Sequence, residues 1–347
     1  MSPKRKTNPA GAGDRKTGRK RQKLSPEAPG NIDYFDCLPD DILISVLAKL
    51  CSAADSPADF FNSLMTCKRF YGLGFHPAVV SAASLKMLAV RARNWTESTH
   101  RFIKLCSDAG NVEACYILGM IRFYCFQNRG SGTSLMAKAA MASHAPALYS
   151  LAIVQFNGSG GSKTDKDLRA GVALCARAAS VGHIDALREL GHCLQDGYGV
   201  KRNVLEGRRL LVQANVREVA ALYAAVASSG FDRDSWLALN RPAGGTGSCP
   251  LLSDFGCDVP APEPHPANKF LTEWFEPAGG VPGPGLRVCC NPGCGRPELR
   301  RHEFRRCSVC GSVNYCSRAC QAVHWRSRHK TDCVPAAGGE NPAVNII

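Results

Sequence analysis

The amino-acid sequence predicts a mainly α-helical protein, and three observations support this prediction. Of the 347 residues, 45% are hydrophobic but only 7% are aromatic, and Ala and Leu are concentrated in the middle of the chain. Ala and Leu favour helices, whereas aromatic and β-branched residues are enriched in strands. Apolar residues recur at helical spacing, and one block of sequence is repeated along the chain. A chain of this length is expected to form two or three folded units.

The formal net charge of +14 lies at the two ends of the chain. Residues 1–30 carry nine Lys/Arg against two acids, and residues 287–333 carry ten against three, so the part between them is neutral overall. A uniformly basic surface would indicate nucleic-acid binding, and this pattern does not. Neither a membrane-spanning apolar run nor a secretory signal is recognised, so no membrane contact is expected.

Residues 1–30 form a basic arm that is expected to be disordered. The arm has almost no large apolar residue, so it cannot bury enough surface to offset the entropy of ordering. Its basic residues form two clusters, Lys4-Arg5-Lys6 and the run from Arg15 to Lys23, which together resemble a bipartite nuclear-localisation signal. The resemblance implies a nuclear location, alone or together with a cytoplasmic pool. The alternative is a solvated basic tail without a role in import.

Residues 34–80 are predicted to form a small helical unit. The run Leu38-Pro39-Asp40-Asp41 favours a helix start, since Pro suits a first helical turn and acids suit the positive end of the helix dipole. Apolar residues follow at helical spacing as far as Leu50. A second amphipathic stretch starts at Pro57 and is expected to end at residues 68–72. So small a unit cannot bury its apolar surface alone and should dock on something else.

This unit resembles an F-box, in its Leu38-Pro39 opening, its Leu-rich helix and the Cys67-Lys68-Arg69 that closes the next helix. In that family the opening and the apolar residues after it bind a Skp-type adaptor, which bridges to a cullin. By this resemblance the adaptor contacts would come from Leu38, Pro39, Ile42, Leu43, Val46 and Leu47. The alternative is a capped helical hairpin that packs on the rest of its own chain.

Residues 81–236 are predicted to form a helical solenoid. The block at residues 109–114 is echoed at 142–147 and at 180–186, with spacings of 33 and 39 residues, which is in the range of two-helix repeats. These blocks resemble Sel-like repeats, relatives of the tetratricopeptide class, with an atypical last helix near residues 216–229. The resemblance implies a concave surface that binds protein, and the alternative is an architectural spacer.

Residues 240–286 contain nine Pro and eight Gly and are predicted to be a linker that resists packing. Residues 265–275 are the exception, because they fit a short amphipathic helix whose aromatic side chains are expected to dock on the solenoid. Residues 334–347 are treated as a tail.

The strongest signal is a set of metal-ligand residues in the last sixty residues. Pairs of Cys separated by two to four residues place two sulfurs near one ion, and zinc takes four such ligands in a tetrahedron. Eight ligands therefore indicate two structural zinc ions. The gaps between pairs are too short for two separate modules, so interleaved ligation is expected. One ion would be bound by Cys289, Cys294, Cys316 and Cys320, and the other by Cys307, Cys310, His329 and Cys333.

The order and spacing of residues 289–333 resemble the MYND finger, including Tyr315 before the third pair and His324-Trp325 before the last His. The resemblance favours Cys289 over the adjacent Cys290 as the first ligand. With every coordination position taken by the protein, these zinc sites would be structural rather than catalytic. The thiolate charges are expected to be offset by Arg287, Arg305, Arg306 and Arg318.

The three parts together resemble a class of plant F-box proteins. The resemblance implies a substrate-recognition subunit of an SCF-type ubiquitin ligase, in which the F-box binds adaptor and cullin while repeats and finger bind an unknown protein target. Such a subunit is not an enzyme, because ubiquitin chemistry occurs on its partners. The alternative is a nuclear scaffold or transcriptional corepressor adaptor without a ligase role.

Overall fold

The computed structural model describes residues 37–228, 250–257, 259–276 and 282–335, with the side chains of 225–228 left out. These residues form mainly helices and one small two-stranded sheet, so the predicted fold class is confirmed. No helix within the described ranges combines the length and apolar character needed to cross a bilayer. The basic arm at residues 1–30 and most of the tail at 334–347 lie outside the described residues.

After a long first helix, the helices of the N-terminal unit are shorter than those of the repeats. They are α1 (Asp40–Ala53), α2 (Pro57–Leu64), α3 (Lys68–Gly74), α4 (Pro77–Val80), α5 (Leu85–Leu88), α6 (Glu97–Asp108), α7 (Val112–Tyr124), α8 (Arg129–Met141), α9 (Ala145–Asn157), α10 (Leu168–Ser180), α11 (Ile184–Asp196) and α12 (Val204–Ser228). The C-terminal part adds α13 (Pro266–Trp274), α14 (Arg318–His324), α15 (Lys330–Asp332) and antiparallel strands β1 (Arg305–Arg306) and β2 (Asn314–Tyr315).

The N-terminal unit packs α1 against α3 and α4. Its second amphipathic stretch is two helices, which corrects the prediction of one helix closing at residues 68–72. Helix α2 stops at Leu64, and Cys67 begins α3 as its N-cap. Cys67 has extended backbone angles and its Sγ accepts the Phe70 N–H at 3.4 Å. The apolar spacing continues across this break, so periodicity alone could not locate it.

The repeats are built from the helix pairs α6/α7, α8/α9 and α10/α11. Each pair turns through a residue with positive φ at Gly110, Ser143 and Gly182. The next residue in each repeat is Asn111, His144 or His183, and its side chain accepts the N–H three residues later as an N-cap. The repeated sequence block is therefore a turn-and-cap signature, and it gives His183 a structural role that its sequence context did not reveal.

Glycine allows the helices of adjacent repeats to touch. A Cβ at Gly132 in α8 would lie 2.7 Å from the backbone nitrogen of Phe123 in α7, and the Gly119 position is equally tight. Two helix backbones in contact leave no room for a side chain between them. The last helix is longer than predicted, because α12 is one continuous element from Val204 to Ser228 and does not start near residue 216.

The second helix of each repeat faces the C-terminal part of the chain. Helix α13 packs on α7, and α14 packs on α11. Helices α7 and α9 bury residues around nearly their whole circumference, as expected for helices covered on every side. The concave surface that the repeat resemblance implied is therefore filled by the protein's own C-terminal segments.

Helix α13 docks through aromatic side chains, as the sequence predicts. The Phe270 ring lies 5.2 Å from that of Trp95, and the Trp274 ring lies 5.7 Å from that of Phe126. The Glu273 carboxylate adds an ion pair with Arg91 at 2.8 Å. This docking anchors the middle of the predicted linker on the first repeat.

Residues 250–257 also pack, which corrects the expectation that this stretch resists packing. Both carbonyls of Leu251 and Ser253 accept hydrogen bonds from the Asn215 amide of α12 at 2.8 Å. The Phe255 ring lies 5.7 Å from that of Trp325. The composition did not reveal this packing, because the polar contacts come from Asn215, which lies 36 and 38 positions before the two carbonyls.

Candidate metal centre

The first group of predicted ligands converges at one point. Cys289, Cys294, Cys316 and Cys320 are all buried, and their sulfur atoms all lie within 4.8 Å of one another. The Sγ atoms of Cys294 and Cys316 are 3.5 Å apart, and those of Cys316 and Cys320 are 3.6 Å apart.

The second group forms a separate cluster, also within 4.8 Å, from Cys307, Cys310, His329 and Cys333. The Sγ atoms of Cys307 and Cys333 are 3.9 Å apart. His329 presents Nε2 to the Cys310 Sγ at 3.6 Å, so Nε2 is the ring atom placed for coordination. The two groups interleave along the chain in the order that the sequence predicted.

These distances fit tetrahedral zinc. Zn–S bonds of roughly 2.3 Å at tetrahedral angles separate two sulfurs by roughly 3.8 Å, and the observed sulfur separations lie close to that value. The donor sets are four thiols, and three thiols with one imidazole, both of which are typical of structural sites. The two groups are thus consistent with structural zinc, and each would have its four positions filled by protein.

Short local elements bring the ligands together. Strands β1 and β2 pair Arg305 with Tyr315 around the tight turn that carries Cys307 and Cys310. Ser317 caps α14, its Oγ accepting the Cys320 N–H at 3.0 Å, which fixes the two ligands that flank this cap. A tight turn thus brings the side chains of Cys307 and Cys310 together, and a helix start does the same for Cys316 and Cys320.

Two of the thiols have pKa values suited to metal binding. Burial raises the pKa of Cys310, but hydrogen bonds from Ser312 and the backbone outweigh it and lower the pKa to about 6. Hydrogen bonds from the other three thiols of its group hold the pKa of Cys294 well below its usual range. Because zinc binds the thiolate, a depressed pKa reduces the proton competition for these ligands.

Cys290 lies outside both groups. Its Sγ lies 3.6 Å from the Asn314 Oδ1 and accepts the Asn314 N–H at 3.4 Å, while Cys289 joins the first group. Of the other two histidines in residues 289–333, His302 is exposed, and His324 is buried against His329 with ring centroids 5.4 Å apart. The Tyr315 hydroxyl lies 2.9 Å from the Nδ1 of His324 and holds that ring in place.

The arginine nearest the thiols is one that sequence reasoning missed. Arg296 is 5% exposed and donates from Nη1 to the Cys294 Sγ at 3.5 Å and from Nη2 to the Ser150 Oγ at 2.8 Å. Arg318, expected to offset thiolate charge, instead pairs with Asp196 in the repeats at 2.5 Å. Ser150 is 146 positions away in the sequence, and although Cys294 is only two residues away, the spacing did not show that the Arg296 side chain turns toward it.

A third cluster of possible ligands is a hydrogen-bonded carboxylate rather than a metal site. Glu113 lies 3.0 Å from the Nε2 of His144 and 3.2 Å from that of His265. In both rings Nδ1 accepts a backbone N–H as a helix cap, so the proton sits on Nε2 and points at the carboxylate. A metal at Nε2 would force that proton onto Nδ1, against an N–H donor. Burial raises the pKa of Glu113, but the two histidines outweigh it and lower the pKa to about 2.

The finger is fastened to the repeats by buried hydrogen bonds. The Asn157 Nδ2 donates to the Cys316 carbonyl at 2.9 Å, and the Tyr149 hydroxyl donates to the Ser317 Oγ at 3.2 Å. Glu189 in α11 accepts the N–H groups of Arg318 and Ala319 at 2.8 and 3.2 Å, so a buried carboxylate caps the start of α14. Backbone groups of the finger thus depend on side chains of the solenoid.

A buried charge cluster completes this junction. The Glu218 carboxylate of α12 lies 2.8 Å from Arg188 of α11 and 2.6 Å from Arg326 of the finger, and all three side chains are at most 4% exposed. The backbone of Gly256, with φ of 99°, passes so close that a Cβ there would meet the Arg326 guanidinium. Repeat, finger and the 250–257 segment therefore meet at one ionic centre.

Comparisons with known proteins agree with this architecture. Residues 86–181 match the family model for plant tetratrico peptide repeats, and residues 289–333 match that for the MYND finger. An F-box protein from Arabidopsis thaliana is 62% identical over 352 residues, which is 96% of this chain and 92% of that protein. This chain belongs to the plant F-box protein family.

A second F-box protein from Arabidopsis thaliana is 56% identical over 319 residues, covering 91% of this chain and 90% of its own length. A Sel1 repeat protein from Oxalobacter formigenes matches 40% of this chain with 20% identity and a TM-score of 0.30, which is too low to establish a common fold. The resemblance to plant F-box proteins is thus confirmed by these two relatives, and the repeats and the MYND finger of this chain are confirmed by the two family models.

The two neighbouring cysteines provide a sharp test of the zinc assignment. Purified protein should contain two zinc ions per chain, and Cys289→Ser should reduce this to one, because it removes a ligand of the first group. Cys290→Ser is the matched control and should keep two ions. Mass spectrometry of the intact native protein and elemental analysis measure the content. Equal loss in both variants, or a single ion in the parent, would contradict the assignment.

The Glu189 cap should be essential for joining finger to repeats. Glu189→Ala leaves two buried N–H groups of α14 unpaired and is expected to cost about 2 to 4 kcal/mol of stability in this F-box protein. Urea unfolding and the rate of zinc loss to a chelator should both report it. Glu206→Ala, which removes an exposed carboxylate of α12, should change stability by less than about 0.5 kcal/mol. Equal behaviour of the two variants would show that the cap is dispensable.

Proposed function

We propose that this F-box protein is the substrate-recognition subunit of an SCF-type ubiquitin ligase. Helix α1 would dock on a Skp-type adaptor that bridges to a cullin, while the unit of repeats and finger holds the target protein. Ubiquitin transfer would take place on partner subunits, and this chain would contribute proximity and orientation. The zinc ligands are all used for structure, which supports a non-catalytic role.

The observation that carries this proposal is an apolar stripe on α1 that the described residues leave exposed. Ile42, Val46 and Leu50 follow one another at intervals of four residues and are 46%, 38% and 42% exposed. Three large apolar side chains on one helix face are typical of a surface that a partner covers. The stripe lies in the segment that resembles an F-box.

Two of the six residues that the F-box resemblance assigned to adaptor binding do not lie on the exposed face of α1. Leu43 and Leu47 are 0% exposed, because the helical period turns them toward α3 and α4 and into the core of this chain. These two side chains pack in the core, away from the proposed interface, and cannot contact an adaptor directly. Ile42 and Val46 remain in the proposed interface, and Leu50 joins them.

Leu38 and Pro39 also remain in the proposal. Leu38 is half-buried and Pro39 is exposed, directly before the start of α1. Pro39 restricts the backbone at this point, and a fixed entry into the helix reduces the entropy lost on binding.

Target binding is proposed for the surface of the repeat and finger unit. The face of the repeats formed by their second helices is largely covered by α13 and by the finger, so a folded target domain cannot enter there without displacing them. A nuclear location completes the proposal, and it is supported by the two basic clusters of residues 1–30.

The adaptor interface can be tested with Ile42→Ala combined with Val46→Ala. Each truncation at the centre of an interface commonly costs more than about 1 kcal/mol, so affinity for a Skp-type adaptor should fall at least about tenfold. Met141→Ala, which truncates another exposed apolar side chain, should leave affinity unchanged. Thermal stability of all variants should match the parent. Calorimetry with purified adaptor measures the effect, and a parent protein that binds no adaptor would favour a scaffold without ligase role.

Import can be tested by deleting residues 1–30 from a fluorescent fusion too large to diffuse through nuclear pores. The fusion should shift toward the cytoplasm, because both basic clusters are lost with this segment. Replacing the same residues by a neutral Gly/Ser stretch of equal length controls for length. If the deletion stays as nuclear as the parent, the arm does not direct import.

A further inference from the structure

An open cavity of about 730 Å³ lies where repeats, finger and the segment before α13 meet. This size suits a few residues of an extended peptide and is too small for a folded domain. Its lining comes from several parts of the chain that are distant in sequence, and it includes Pro146, Tyr149, His183, Pro264, Pro292 and Val323. No function proposed so far uses this cavity.

The charges around the cavity are unequal. Three carboxylates line it, those of Asp185, Glu218 and Glu263, against the single guanidinium of Arg296. Glu218 is paired with two arginines, and Glu263 with Lys269. Asp185 has no ion-pair partner among the described residues, although it is half-buried at the start of α11. An unpaired carboxylate in a partly enclosed site favours a cationic ligand.

Arg296 supplies the second feature that points to a ligand. Its Nη atoms donate to Cys294 and Ser150, but its Nε has no hydrogen-bond partner among the described residues. A donor that is nine-tenths buried and unsatisfied in a cavity wall is costly unless a ligand or water accepts from it. A peptide carbonyl is a suitable acceptor.

The aromatic walls suit the same ligand. The rings of Tyr149 and His183 lie 4.7 Å apart at an angle of 30°, and both line the cavity. Aromatic faces attract guanidinium and ammonium groups and pack well on the stems of Arg and Lys side chains. A nucleic acid or an acidic peptide would bring negative charge to a site rich in carboxylates.

We infer that this cavity binds an extended peptide segment with a central Arg or Lys, whose cation pairs with Asp185 while a neighbouring peptide carbonyl accepts from the Arg296 Nε. The inference rests on the proposed function, for which it names the class of target. Binding to the cavity does not require the adaptor, so the two can fail separately.

The test uses acetylated and amidated pentapeptide pools with Arg, Lys, Gln or Glu fixed at the central position and all other positions varied. Purified full-length protein, with its metal content checked, is titrated by fluorescence anisotropy without adaptor. The Arg and Lys pools should bind at least about tenfold more tightly than the Glu pool, with Gln between them. Adaptor affinity, measured separately, should be the same with and without peptide.

Two variants assign the effect to the cavity. Asp185→Asn should reduce binding of the Arg and Lys pools about five- to tenfold, whereas Asp108→Asn, which makes the same charge change on an exposed site outside the cavity, should leave it unchanged. Ile184→Trp, which fills the cavity from its lining, should weaken every pool that binds. The inference is overturned if the Glu pool binds as well as the Arg pool, if no pool binds, or if the two Asn variants behave alike.

Discussion

The junction between repeats and finger is the constraint on which the rest of this structure depends. The finger is too small to have a core of its own and would be held internally by metal ligation. Its outer hydrogen-bonding groups are satisfied by α9 and α11, through Asn157, Tyr149 and Glu189. Because these groups are buried, leaving them unpaired would cost far more than their pairing gains. Repeats and finger therefore form one folded body.

Much of the candidate site could be predicted because its information is local. Ligand pairs such as Cys307 and Cys310 lie on one turn, so spacing alone indicated metal, and interleaving followed from the short gaps. In the structure Cys289 faces the other three ligands and the adjacent Cys290 does not. The spacing of the cysteines alone does not indicate which of the two side chains has this orientation. Arg296 was missed because its partners, Ser150 and the Cys294 sulfur, come together only in the folded chain.

The helical fold was predictable for similar reasons, and its packing was not. Apolar periodicity located α1, yet the F-box resemblance assigned Ile42 and Leu47 to the same surface, although one is exposed and the other is in the core. A helix pattern shows that a face is apolar, but what covers that face depends on the position of other elements. The covered face of the repeats is the larger example, since the resemblance to Sel-like repeats implied a concave binding surface, and distant segments of the same chain pack on the second helices of the repeats.

The buried ionic centre at Glu218 has a consequence for how such proteins can evolve. One carboxylate serves an arginine of the repeats and an arginine of the finger, and Gly256 of an intervening segment leaves just enough space for both. If the finger were exchanged for that of another protein, Arg326 would be lost and the buried Glu218 of the solenoid would lack one of its two ion-pair partners. An added repeat would move Glu218 away from Arg326. Although each module is recognisable by itself in the sequence, the two can be inherited and altered only together.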